Sequence, residues 1–382
     1  MKISCFQGDL MSGIQTVGNA VAGRATLPIL TNILIEAKRE KIELSATDLE
    51  IGIKCSVSAQ VKKEGAITIP AKRLSDIVRE LPEGPVEMVT EDSQMKISSS
   101  GIFFKVLGLP AEEFPTLPKV ESENRFSVDS QLLRGMVQKT IFANSRDETR
   151  YILNGSYLEM EKDRIIMTAT DGHRLATISH RVERGPEKKI GAIIPTKALN
   201  ELNRLLEEPK KVEATIGENQ ISFSLDLPAE APASSVDRSV QAGEVILSSK
   251  LIEGQFPDYK QLIPKKSAKR LSVNREKLLK GVRRAALLAD VRTGAVELLA
   301  YSNKLIIRSQ TPQVGEAREE IDIDYSGEEI RTAYSARYIL DVLRNISSEE
   351  VSLESDEPLS PGVIRPVSGE DYLCVLMPMR IT

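Results

Sequence analysis

At 382 residues the chain is long enough for two or three domains of the usual ~100–200 residues, each with its own core. The composition, 41% hydrophobic and 28% charged with no apolar run near the ~20 residues of a membrane-spanning helix, reads as soluble and globular. The net charge of −4 averages 51 basic and 55 acidic side chains, so it leaves a polyanionic partner open, provided that the cations gather on one face.

The remaining composition narrows the chemistry. Cys5, Cys55 and Cys374 are far apart and form no Cys-x-x-Cys pair, and the only histidines are His173 and His180. That argues against a disulfide framework, a zinc site or histidine-based metal chemistry, and leaves the cysteines as small core residues. We expect no metal and no cofactor. Without Trp, and with 4% aromatic residues, base stacking is a poor binding device for this chain. The opening Met1-Lys-Ile-Ser-Cys-Phe6 lacks a charged-then-apolar signal region, so the expected location is cytoplasmic.

In chain order, a short strand leads to a helix with Leu10, Ile14, Val17 and Val21 at helical spacing. The pattern returns twice: aligned without gaps, Leu10, Leu132 and Leu278 coincide, as do Gly13, Gly135 and Gly281. Three copies are therefore present. A glycine inside a helix costs about 1 kcal/mol against Ala, so its recurrence implies something packed close to the backbone.

Next comes Leu44-Ser-Ala-Thr-Asp48, echoed by Met167-Thr-Ala-Thr-Asp171 about 123 residues later. A period that long means duplicated domains, because solenoid repeats run roughly 20–50 residues. A second helix recurs from Pro70, Pro195 and Ser335, with apolar stripes Leu74, Ile77, Leu81; Leu199, Leu202, Leu206; and Ile339, Val342, Ile346. Each copy of it carries a cation near its start (Lys72, Lys197, Arg337) and another seven residues on (Arg79, Arg204, Arg344). Single helix charges are usually just solvated; the same pair three times points to a shared basic surface.

Short alternating runs around Val86, Gln94 and Gly101 read as antiparallel strands. The fold expected is α+β, three tandem units of strands covered by two helices. Phe114-Pro-Thr-Leu-Pro118 and the run from Phe256-Pro-Asp-Tyr259 to Pro264 mark the seams, giving domains 1–121, 122–266 and 267–382. Residues 227–243, rich in Pro, Ala and Ser, look like an inserted loop.

Three such copies, with Ala169-Thr-Asp-Gly-His-Arg-Leu175 in the second, Phe256-Pro-Asp-Tyr259 closing it and Met377-Pro-Met-Arg380 at the end, resemble the bacterial sliding clamps, the beta subunits of DNA polymerase III, over the whole chain. The resemblance implies a head-to-tail homodimer: a ring of six domains around double-stranded DNA, sheets outside and helices lining the hole. Twelve helices at roughly 8–10 Å spacing would line a hole of roughly 30–35 Å, wide enough for a hydrated duplex. Such a ring would act as a processivity factor that tethers the replicative polymerase, sliding because its contacts to phosphates are weak and read no bases.

On that resemblance the DNA-facing residues are Lys72, Arg79, Lys197, Arg204, Arg337 and Arg344, with Lys277, Lys280 and Arg284 on the third copy's first helix, Arg24, and Arg146 and Tyr151 in the loop 146–151. The dimer contact would join Phe104 and Val106 to Leu287 and Leu288. A pocket for linear peptides from the polymerase, clamp loader and repair or translesion polymerases would use Leu153, Thr170, Gly172, His173, Arg174, Leu175, Pro257, Leu262, Val375, Met377, Pro378, Met379 and Arg380. Adaptable methionines and an arginine anchor suit several partners. Gln261 stands where some family members carry Arg, and Thr382 extends the usual ending.

Two other readings compete. Asp171 and His173 could form an acid–base pair, but residues two apart at a turn need not face each other, and no glycine-flanked nucleophile, Walker loop or Gly-x-Gly-x-x-Gly accompanies them. Alternatively, the repeats could form a protein-interaction scaffold with no topological link to DNA.

Overall fold

The computed structural model describes all residues except 24–25, 118–119, 183–184, 208–210, 227–243, 265–266, 268 and 381–382. Arg24, the loop 227–243 and Thr382 thus lie outside the described residues. Among the described residues, no helix is long and apolar enough to cross a membrane.

The first copy runs β1 (Lys2–Phe6), α1 (Gln7–Gly18), β2 (Asn32–Lys38), β3 (Lys41–Thr47), β4 (Ile51–Ser58), β5 (Gln60–Lys63), β6 (Gly65–Pro70), α2 (Ala71–Glu80), β7 (Pro85–Glu91), β8 (Gln94–Ser99) and β9 (Ile102–Leu107). The second runs β10 (Arg125–Asp129), α3 (Ser130–Ile141), β11 (Gly155–Met160), β12 (Arg164–Thr170), β13 (Arg174–Arg181), β14 (Ile190–Pro195), α4 (Thr196–Leu205), β15 (Lys211–Ile216), β16 (Gln220–Asp226) and β17 (Glu244–Lys250). The third runs β18 (Arg270–Asn274), α5 (Arg275–Ala285), β19 (Ala295–Tyr301), β20 (Lys304–Thr311), β21 (Gly315–Asp322), β22 (Ile330–Ser335), α6 (Ala336–Arg344), β23 (Glu350–Glu354), β24 (Gly362–Pro366) and β25 (Asp371–Leu376). Set side by side, the described elements of each copy form a strand-helix-three-strand unit made twice, with β5 added among them in the first.

The helices form where the sequence places them, with small shifts of face. In α1, Leu10, Ile14 and Val17 are buried, whereas Val21 falls beyond the last turn. In α2 the stripe is Leu74, Val78 and Leu81, and Ile77 is only half-buried. Steps of three and of four both stay on one face of a 3.6-residue helix, so spacing alone leaves that choice open. The expected stripes of α4 and α6 are buried as they stand, widened by Leu205 and Leu343.

The recurring glycine has its explanation at the first and third copies. A Cβ on Gly13 would lie 2.6 Å from Val57 Cγ2 and 2.8 Å from Leu44 Cδ1, and one on Gly281 would lie 2.6 Å from Ile307 Cδ1. These helices therefore sit directly on side chains of the strands below. At Gly135 no described atom comes within 4 Å, so close packing does not account for that copy.

The chain divides into two compact units, Met1–Arg134 with Lys197–Leu251, and Gly135–Thr196 with Ile252–Thr382. The first contains a five-stranded sheet, β5-β1-β7-β8-β9, and an eight-stranded sheet, β10-β15-β16-β17-β4-β3-β2-β6. In the second, an eight-stranded sheet, β14-β11-β12-β13-β25-β24-β23-β18, accompanies a four-stranded one, β21-β20-β19-β22. All neighbours in these sheets pair antiparallel.

Successive copies are thereby welded through their ladders. β17, the last strand of the second copy, pairs with β4 of the first, Val245 opposite Cys55 and Leu247 opposite Ile53. β25, the last strand of the third, pairs with β13 of the second, Ala176 opposite Cys374 and Ile178 opposite Tyr372. The proline-bearing closings fold back as plugs: Phe114 joins Ile29 and Leu30, and Phe256 joins Leu175 and Ile193. The three cysteines are free and buried, and burial first of all pushes each thiol up to about 12, which keeps it unreactive.

The glycine contact yields a direct expectation. Gly13→Val forces a branched side chain against Val57 and Leu44, and such overpacking typically costs about 1–3 kcal/mol. Urea unfolding of the variant should show a lowered midpoint; an unchanged midpoint would mean that the strand side chains yield freely.

Candidate peptide-binding site and basic helix surface

The shared word Ala-Thr-Asp encodes one hairpin turn, built twice. After β12, Thr170 Oγ1 donates to the Arg174 carbonyl (2.6 Å) and accepts from Gly172 N–H (3.1 Å), while Asp171 Oδ1 accepts from the N–H groups of His173 (2.9 Å) and Arg174 (3.0 Å). After β3, Thr47 and Asp48 make the same four bonds with Leu49, Glu50 and Ile51. Thr and Asp recur because their short side chains can satisfy turn amides locally. The residue that follows the word sits at positive φ in both, +86° for Gly172 and +76° for Leu49, a conformation natural for the glycine and strained for the leucine. In the third copy β20 ends at Thr311 but is followed by Pro312, so the aspartate turn is absent there.

Asp171 is thus committed to backbone amides and to Arg174, whose Nε donates to its Oδ2 (3.1 Å). Among the described residues its side chain makes no hydrogen bond to that of His173, so the geometry assembles no acid–base pair. Arg174 is buried: Nη1 donates to Asp341 Oδ2 (2.7 Å), Nη2 to the Phe142 carbonyl, and the guanidinium lies 4.5 Å from the Tyr338 ring centre. Its donors serve the protein itself. Arg380, at the chain end, is exposed and makes no ion pair among the described residues.

The other expected pocket residues gather around this turn. Leu153, Leu175 and Val375 belong to one apolar cluster with Ile193, Phe256, Tyr259 and Val363. Leu175 lies opposite Val375 across the β13–β25 ladder, and Met377 N–H donates to the His173 carbonyl (2.9 Å), which brings the C-terminal run alongside the turn. Met377, Pro378 and Met379 are half-buried; Gly172 and His173 are exposed, and Thr170 is buried beneath them.

The segment after β17 straps the cluster. Phe256 stacks on Tyr157 (5.1 Å, 9°) and meets Tyr259 edge-on (6.4 Å, 71°), leaving Pro257, Gln261 and Leu262 exposed. Gln261 Nε2 donates to Asp258 Oδ2 (2.8 Å), so this wall presents a neutral amide already in use. Glu159, almost wholly buried, pins the strap by accepting from Lys260 (3.0 Å) and pairing with Lys189 (2.6 Å). Sequence reading missed Tyr157, Glu159 and Lys260; no periodicity marks them, because their partners lie far along the chain.

The candidate DNA residues divide by what surrounds them. Lys72 and Lys277 are exposed and make no ion pair among the described residues. Arg79 lies 4.0 Å from Asp76, and Lys280 pairs with Glu276 (3.2 Å), both on the open surface. Lys197 pairs with Asp48, Arg204 with Glu201 (3.0 Å) and the Thr16 carbonyl (2.9 Å), and Arg284 is clasped by Glu319 (Nε, 2.7 Å). Arg337 and Arg344 are exposed and flank Asp341 at 4.0 and 3.5 Å. Arg146 and Tyr151 are exposed at the turn around 146–151. Arg73 on α2 and Arg283 on α5 are exposed too, without having been singled out. No group of three metal ligands occurs among the described residues.

Models of the N-terminal, central and C-terminal domains of the DNA polymerase III beta subunit match residues 1–118, 127–258 and 260–380. The chain belongs to this family, the beta sliding clamps. It is 31% identical over 382 residues to the beta sliding clamp of Chlamydia muridarum, covering 100% of this chain and 99% of that protein. The structure superposes on the DNA polymerase III subunit beta of Pseudomonas aeruginosa with a TM-score of 0.91 at 29% identity, and on a sliding clamp of Bartonella birtlesii bound to griselimycin with 0.90 at 33%, each over 100% of both chains. The fold is three tandem clamp domains built on antiparallel sheets, and the function is that of a DNA polymerase processivity factor.

The buried carboxylates of this fold set its response to acid. Burial acts first to raise Glu159, but hydrogen bonds from Lys189 and Lys260 outweigh it and hold the carboxyl below its usual range; Glu297 behaves alike between Arg308 and Arg331. A carboxyl depressed in the folded state contributes stability that is complete above the unfolded value of about 4.3 and is lost as pH falls through the lower folded value. Melting temperature should therefore hold between pH 8 and 6 and drop below about pH 4. Glu159→Gln should soften that drop, and an identical acid limb in the variant would remove Glu159 from the account.

Proposed function

We propose that two copies of this chain close head to tail into a ring around double-stranded DNA and tether a polymerase through the pocket at the 170–175 turn. One observation carries the reading. Both internal seams join the last strand of one copy to the third strand of the hairpin sheet in the copy before it, β17 to β4 and β25 to β13. By the same rule the last strand of the first copy, β9, should join the equivalent strand of a third copy, β21. Among the described residues both are outermost strands, each with an unpaired backbone edge. Two chains satisfy each other at both ends, closing a heterologous contact that would otherwise polymerise.

Side chains at those edges support it. Phe103 (60% exposed) and Leu107 (69%) stand out from β9, with Phe104 and Val106 half-buried between them; Leu287 (80%) and the fully exposed Val291 stand out near β21, with Leu288 half-buried. Leu288 Cδ1 lies 3.7 Å from where a Cβ on Gly315 would sit, at the start of β21, an ordinary packing contact. Large apolar groups at an open edge invite a partner.

In this reading the domains are 1–121, 122–266 and 267–382, and Lys72, Arg79, Lys197, Arg204, Lys277, Lys280, Arg284, Arg337 and Arg344, with Arg24, Arg146 and Tyr151, meet phosphates. Several of these cations already hold a carboxylate, which keeps each phosphate contact weak and exchangeable, as sliding requires. The replicative polymerase, the clamp loader and repair or translesion polymerases dock linear peptides at the pocket. The chain has no catalytic site of its own, needs no cofactor, and works in the cytoplasm.

Loading onto a nicked circle by a clamp loader, a rise in salt and a single cut by a restriction enzyme test the ring. Retention through the salt and release on cutting are expected; loss in salt before the cut, or retention after it, would replace topology with ordinary binding. Leu287→Asp should fold normally, being exposed, yet sediment as a monomer where the unaltered protein sediments as a dimer. A dimeric variant would move the contact elsewhere.

A further inference from the structure

The candidate peptide turn and the candidate DNA-facing helix α6 share one carboxylate. Asp341 Oδ2 accepts from Arg174 Nη1 (2.7 Å) and lies 4.0 Å from Arg337 Nε, while its Oδ1 lies 3.5 Å from Arg344 Nη1. Arg174 in turn holds Asp171, whose other oxygen accepts from the N–H groups of His173 and Arg174. A continuous path thus runs from two exposed arginines through Asp341, Arg174 and Asp171 to the backbone of the turn.

The two ends of the path differ in exposure. The side chain of Arg174 is 5% exposed and that of Asp341 21%, so their attraction is weakly screened; Arg337 and Arg344 are 63% and 59% exposed, so their hold on Asp341 is loose. Three guanidinium groups compete for one carboxylate, and only the outer two are free to leave it.

We propose that Asp341 is a positioning residue shared by the two sites: duplex phosphates that draw Arg337 and Arg344 away leave it wholly to Arg174, which steadies the 170–174 turn and tightens binding at the pocket. The inference rests on the peptide and DNA sites proposed above. Coupling is reciprocal, so an occupied pocket strengthens the α6 phosphate contacts by the same factor. Since the outer arginines are well solvated, the effect is about 2- to 5-fold, at the weak end of allosteric coupling. No rearrangement of the fold is required.

Calorimetric titration with griselimycin, with and without a linear DNA duplex at low salt, tests this in the unaltered protein, Arg337→Gln/Arg344→Gln and Asp341→Asn. The unaltered protein should bind about 2- to 5-fold tighter with duplex, and high salt should abolish the gain. The double variant mimics neutralisation: tighter binding without duplex and no response to it. Asp341→Asn should bind more weakly and ignore duplex, with its melting temperature reported alongside; if it does not fold, the double variant, altered only at exposed positions, decides. Equal affinity with and without duplex in the unaltered protein, or a double variant that responds as the unaltered protein does, overturns the shared counter-ion while leaving the pocket intact. Failure of griselimycin to bind the unaltered protein at all would overturn the pocket reading, and this inference with it.

Discussion

Backbone hydrogen bonding between strands of neighbouring copies is the constraint on which this structure depends. A β-strand has two edges, and a copy of this unit satisfies only some of them internally; at β4, β13, β17 and β25 the neighbouring copy supplies the partner. The two eight-stranded sheets are the result, each made half from one copy and half from another. The helices then have a continuous floor, and Gly13 and Gly281 let them rest directly on the Val57, Leu44 and Ile307 side chains. The 170–174 turn depends on the same ladders, since Leu175 and Val375 meet there only because β13 and β25 are paired.

Much of this was legible in the residues. The three-fold repeat showed itself through helices, because an amphipathic helix must keep its stripe and a tight helix–sheet contact must keep its glycine. The Ala-Thr-Asp word marked a turn whose side chains do specific hydrogen-bonding work, and both copies make the same bonds. What stayed hidden was long-range. The internal doubling of each copy leaves no shared word, because antiparallel strands need only alternation. The seams pair residues such as Val245 and Cys55, far apart in sequence, and no local pattern records a partner. Nor could spacing decide between Ile77 and Val78, since steps of three and of four from Leu74 both stay near its side of the helix.

Arg174 shows how an arginine in a recognisable motif can be fully engaged by its own protein. Its place in the motif suggested an anchor for an incoming peptide, yet its guanidinium is occupied by Asp171, Asp341 and the Phe142 carbonyl, with Tyr338 against its face. A buried, fully engaged arginine orients other groups with little freedom of its own, and removing it would take from Asp171 and Asp341 their shared buried partner. The sequence signal that could have exposed this was the Arg337–Asp341 spacing on α6, a carboxylate one turn from a cation and facing the same side.

The seams also bear on how such a protein can change over evolutionary time. Amide and carbonyl groups are common to every residue but proline, so a junction written in main chain is nearly indifferent to which side chains flank it. Selection at β4, β13, β17 and β25 need only keep prolines out and alternate positions apolar. Drift can then run far while the joints persist, which fits a chain that is 29% identical to the Pseudomonas aeruginosa protein and still superposes on it end to end.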